Sequence, residues 1–175
     1  DLYCKLVKEA VEELKHVPKE NEQEIEIEIP MTAYIPKDYI MRDDSKLESY
    51  RSIADIKSNQ DLERIQQTWL DRYGPVPEEA TNLLKIAHLK LAARSLGIQK
   101  IIAKKIPGFG KAEWNIHLRP LLLRPSQRVR TLRLYEGSLY KEDKQELILK
   151  ISEIREASQE ITDYLKSLEP VTKEA

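Results

Sequence analysis

The stretch TWLDRYGPVPEEA, Thr68 to Ala80, sets Asp71 beside Arg72, between two aromatic rings and ahead of two prolines. An acid and a base held next to Trp69 and Tyr73 could recognise a charged partner, and a carboxylate could also move protons. The rest of the chain supplies little to complete a catalytic set. His16, His88 and His117 have no histidine partner three or four positions away, and Cys4 has no neighbouring histidine to activate it. The carboxylate pairs Asp43–Asp44 and Glu78–Glu79 fall where helices should start, which explains them better than acid/base work. Gly108-Phe109-Gly110-Lys111 has faintly phosphate-like glycine spacing, but it reads as a hairpin turn and not as the loop before a helix. No catalytic, metal or cofactor-binding residue is assigned.

Charge offers a second chemistry. Residues 98–133 hold nine Lys/Arg and one acid, leaving 20 basic and 29 acidic residues elsewhere. With Phe109, Trp114 and Tyr135 interleaved, this segment could track phosphates, with Lys104, Lys105, Arg128 and Arg130 as the contacts. The plainer reading is an electrostatic match between the basic segment and the acidic remainder of the molecule.

At 175 residues and 20.4 kDa the chain suits one ordinary domain with an appendage. A domain of that size buries roughly 70% of its unfolded surface and needs no disulfide or metal staple. One cysteine fits a reducing compartment, and no apolar run approaches a membrane span or a signal peptide. The chain opens on Asp1 inside a helical pattern, so a fragment of a longer protein is expected.

The elements that must position these residues follow from periodicity. Leu2, Leu6, Ala10 and Leu14 form a helical stripe over residues 1–15, and 16–23 read as a linker. EIEIEIP alternates acid and isoleucine, a strand with Ile25, Ile27 and Ile29 inward and a solvated glutamate face. Asp43 or Asp44 can cap a helix to about Lys57, with Leu47, Tyr50, Ile53 and Ala54 inward. Asn59 can cap a second, carrying Leu62, Ile65, Trp69 and Tyr73 and ending at Gly74, where a left-handed residue is wanted. Pro77 suits the start of a third, running to Leu96. Beyond it, IQKIIAKKI and AEWNIHL read as a hairpin, RVRTLRLYE as a further strand, and 142–168 as one long closing helix. Blocks of helices and strands predict an α+β fold, a helical cluster packed with a small, mostly antiparallel sheet.

The segments IEIPMTAYIPKDYI, KLESYRSIA, DLERI, LDRYGPVPEEATNLL and LKLAARSLGIQKI together resemble the C-terminal domain of the bacterial transcription-repair coupling factors (Mfd), closely over residues 25–101. The opening DLYCKLVKEAVEELK is similar to the helix leading out of that family's motor domain, which divides the chain into 1–23 and a regulatory domain over 24–175. The resemblance implies a cytoplasmic parent that translocates on DNA with ATP and magnesium, engages RNA polymerase and recruits UvrA. It implies that this non-catalytic domain docks on the parent's UvrB-like N-terminal module and masks the UvrA surface, with no membrane partner. In the family the docking helix ends Glu-x-x-Asp-Arg-aromatic-Gly. Asp71 and Arg72 match that pattern here, and Thr68 stands in the Glu position. The resemblance thus points to Thr68, Asp71 and Arg72 as the interface, with Trp69 and Tyr73 as packed support.

Overall fold

The computed structural model describes residues 24–168, so the expected opening helix, the linker, Cys4 and His16 lie outside the described residues. The fold is α+β, with five helices and five strands among those residues. Two compact units divide the described residues: 32–91 in one, and 24–31 with 92–168 in the other.

The first unit is helical. It holds α1 (Asp43–Ala54), α2 (Asn59–Tyr73) and most of α3 (Glu78–Ser95). Its core joins Ile35, Ile40, Trp69, Ala80 and Leu84, with Tyr39, Tyr50, Ile53, Leu62, Ile65 and Tyr73 packed around them. The inward stripe expected of α2 is therefore present, at the spacing of three and four that puts side chains on one helix face. Three details differ from expectation. The cap of α2 is Ser58, not Asn59: its hydroxyl accepts from the Asp61 amide at 3.2 Å, while the Asp61 carboxylate accepts from the Lys57 amide at 3.0 Å. Nor does α1 begin on an aspartate cap, because Arg42 occupies that position and Asp43 and Asp44 lie in the first turn. Leu47 and Ala54 are exposed, and the hydrophobic residues that α1 packs on the core are Tyr50 and Ile53.

The second unit is built on a sheet of order β1-β2-β3-β5-β4, comprising β1 (Glu26–Glu28), β2 (Lys100–Ile106), β3 (Glu113–Arg119), β4 (Leu139–Lys141) and β5 (Glu146–Ile151). β1 lies parallel to β2, and the other pairs are antiparallel. The expected β2–β3 hairpin is present, and Glu26 on the solvated face of β1 meets Lys100 at 3.7 Å. Register stacks Ile101 on Leu118, Ile116 on Leu149 and Leu118 on Leu147, and all five are fully buried. On the opposite face the buried Glu146 carboxylate is held by Arg119 at 3.2 Å and faces the His117 ring at 3.5 Å.

Two sequence expectations fail here. RVRTLRLYE is not a strand but part of helix α4 (Pro125–Leu134). Pro125 supplies a preformed first-turn dihedral, and the Gln127 side chain accepts from the Arg124 amide at 2.9 Å, so the start is capped. The supposed long helix over 142–168 is broken: Glu142–Lys144 form a 3-10 turn, Glu146–Ile151 are β5, and only Ala157–Leu168 form α5. Leu147 and Ile151 are four apart, but Leu149 between them shares the strand's buried face, so a period of two fits as well as a helical one.

Candidate functional site

The end of α2 carries four of the five expected interface and support residues to one place. Arg64, Ile65, Thr68, Trp69, Arg72 and Tyr73 form one wall of a groove of about 150 Å³, and Ser45, Glu48, Ser49 and Ser52 of α1 form the other. Spacings of four put Arg64, Thr68 and Arg72 along one edge of the helix, a consequence of 3.6 residues per turn.

Trp69 anchors that wall. It is 2% exposed, its indole nitrogen donates to Ser49 Oγ at 3.4 Å, and its ring stands edge-on to Tyr39 at 6.4 Å. Tyr39 also meets Tyr73 at 5.6 Å, and its hydroxyl lies 2.9 Å from the Gly74 carbonyl and 3.2 Å from that of Trp69. Burial, with a smaller contribution from Tyr73, raises the Tyr39 phenol above its ordinary range, which keeps it a neutral donor. Gly74 turns the chain at φ +85° and ψ −162°, a positive φ as expected but outside the left-handed helical region. These contacts fix where α2 stops, and therefore where its last turn points.

The charged residues of that turn face water. Arg72 is exposed and forms no ion pair among the described residues. Asp71 is exposed too, but it stands outside the groove lining and accepts from Gln67 Nε2 at 2.9 Å. Thr68 is half-buried and its hydroxyl donates to the Arg64 carbonyl at 2.8 Å. Its proton is thereby used inside the helix, and only its lone pairs remain for an outside partner. Sequence reasoning missed Arg64 and the α1 wall. Arg64 was visible at four residues before Thr68, whereas no local pattern pairs Ser49 with Trp69.

The residues singled out for nucleic acid lie on two different elements. Arg128 is drawn inward, 3.2 Å from Glu142 and 5.0 Å over the Tyr140 ring. Lys104, Lys105 and Arg130 are exposed, but Lys104 and Lys105 are on β2 and Arg130 on α4. The Gly108–Gly110 turn joins β2 to β3. Among the described residues no cluster of His, Cys, Asp and Glu is placed to hold a metal ion, and no helix is long and apolar enough to cross a membrane.

The family model of the TRCF domain matches residues 29–116. The chain belongs to the TRCF domain family. The transcription-repair-coupling factor of Mycobacterium tuberculosis is 32% identical over 152 residues, which is 81% of this chain and 12% of that protein. That of Escherichia coli K12 is 32% identical over 127 residues, 70% of this chain and 11% of that protein. The chain thus spans about a tenth of the length of these relatives. A crystal structure of the C-terminal domain of transcription-repair coupling factor has the same fold, with a TM-score of 0.66 at 19% identity over 83% of this chain and 91% of that one. Within the matched residues, Asp71-Arg72-Tyr73-Gly74 lies at the end of α2, with Asp71 and Arg72 exposed.

Proposed function

We propose that this TRCF domain is a regulatory module without catalysis of its own, which docks in cis on the UvrB-like N-terminal module of its parent. The carrying observation is that Thr68, Trp69, Arg72 and Tyr73 converge on one groove wall while the Asp71 carboxylate is exposed beside them. Trp69 is buried in the domain's own core and fixes the wall, which leaves the exposed Asp71 and Arg72 and the half-buried Thr68 for a partner to meet. The resting parent is held with its UvrA-binding surface covered, and its ATP- and magnesium-dependent DNA motor, which engages RNA polymerase, belongs to another domain of the parent. The parent works in the bacterial cytoplasm.

Thr68 in place of a glutamate removes one carboxylate from the clamp, so a single ion pair at Asp71 carries the charge recognition. An ion pair at an interface rim is worth about 0–1 kcal/mol, and more once desolvated. Weak contacts suffice in cis, because tethering raises the effective concentration to roughly millimolar.

The test is made in the full-length parent. Arg72→Glu with Asp71→Lys should raise UvrA capture and basal ATP hydrolysis together, while the melting temperature of the domain stays within a few degrees. Unchanged UvrA capture in a folded double variant would refute the masking role.

A further inference from the structure

Helix α4 is packed with its polar residues inward. Thr131 is 1% exposed, and its hydroxyl bonds the Tyr164 hydroxyl at 2.6 Å and the Gln127 carbonyl at 2.7 Å. Gln127 donates to the Leu168 carbonyl at 3.4 Å, Tyr135 stands edge-on to Tyr164 at 5.4 Å, and Arg128 lies on Tyr140. The aliphatic residues point the other way. Val129 is 57% exposed, Leu134 59% and Leu132 40%, with Leu122 at 73% in the segment leading in. Five of the nine large hydrophobic side chains exposed among the described residues lie between 122 and 139. A helix that buries Thr131 and turns the half-buried Gln127 and Arg128 inward while exposing Val and two Leu inverts the usual amphipathic rule, and such a surface marks an interface.

Its charge identifies the partner's chemistry. Arg124, Arg130 and Arg133 are exposed and form no ion pair among the described residues. Val129 and Arg133 are four apart, Arg130 and Arg133 three, so cations and aliphatics interleave on one face. A second copy of the chain would bring arginines against arginines across a twofold axis. A nucleic acid would meet cations but no aromatic platform, leaving the aliphatics uncovered. A lipid surface selects helices whose apolar and basic faces are segregated, which these are not. We propose that the outer face of α4 docks an acidic, leucine-bearing protein segment, whose aliphatic side chains cover Val129 and Leu132 and whose carboxylates meet Arg130 and Arg133. This face belongs to the second unit and does not rest on the docking reading above.

The isotope-labelled 175-residue chain is titrated with a synthetic helical peptide carrying Leu on one face with Glu beside it. A second peptide has Lys in place of every Glu. Backbone resonances of Val129–Arg133 should move with the Glu peptide and stay still with the Lys peptide. Arg130→Glu with Arg133→Glu, checked for folding by circular dichroism, should weaken the Glu peptide about tenfold or more and admit the Lys peptide. Equal response to both peptides, or shifts confined to other residues, overturns the proposal. So does tighter binding of a single-stranded oligonucleotide or phosphatidylserine vesicles through the same arginines, or a dimer that Arg130→Glu dissociates.

Discussion

The Tyr39 phenol donates to the carbonyl oxygen of Gly74 at 2.9 Å, tying the loop before α1 to the residue that caps the end of α2 across 35 positions of sequence. That bond sets the direction in which the proposed docking residues leave the helix. Tyr39→Phe keeps the ring contacts and removes the bond, so the domain should stay folded and lose about 1–3 kcal/mol, the range for orphaning a part-buried carbonyl. Urea denaturation reads the loss, and faster hydrogen exchange at the Gly74 amide, which donates to the Leu70 carbonyl at 3.1 Å, shows that the helix end has loosened.

Thr68→Glu restores the carboxylate of the family pattern. Glutamate there would sit four residues before Arg72, a favourable helical spacing, and three before Asp71, an unfavourable one, so fold stability should change by less than about 0.5 kcal/mol. Association with the UvrB-like module should tighten by up to about fivefold, the equivalent of ~1 kcal/mol. Calorimetric titration of both forms measures this, and an unchanged constant would exclude position 68 from the interface.

The alkaline limit of stability should depend on Tyr164. Burial pushes its phenol up to about 12, with the Thr131 hydrogen bond opposing, while the ordinary value is 10.0. Between those values unfolding lets the phenol ionise, so stability is full below pH 10 and falls as pH rises towards 12. Tyr164→Phe should flatten this descent while costing about 1 kcal/mol at neutral pH, since Thr131 keeps its bond to Gln127. Burial raises Tyr135 as well, with Glu160 and Asp163 adding to it, so part of the slope should survive. Thermal melts across pH 8–11 decide the point.

The helical unit could be read directly because its signals are local. Leu62, Ile65, Trp69 and Tyr73 recur at three and four, and Gly74-Pro75 terminate the run, so the sequence alone located the wall that bears Thr68 and Arg72. Residues after 120 misled because their patterns fit two periods. Val129 and Thr131 alternate as in a strand, yet Pro125 and Gln127 start a helix that Tyr164 and Leu168 then hold from far along the chain. Leu147 and Ile151 fit a helix until Leu149 is seen to share their face across from β3. The groove opposite Trp69 was equally hidden, since Ser49 lies 20 positions away.

The most direct test of cis docking is titration of the 175-residue chain with the isolated UvrB-like module of its parent, using the native form and Asp71→Ala. Because Asp71 is exposed and bonded only to Gln67 among the described residues, its removal should alter fold stability by no more than about 0.5 kcal/mol. The native chain should bind within tens of micromolar, a range consistent with a tethered contact, and Asp71→Ala should weaken it severalfold. No association in that range, or an affinity indifferent to Asp71→Ala, would contradict the proposed function.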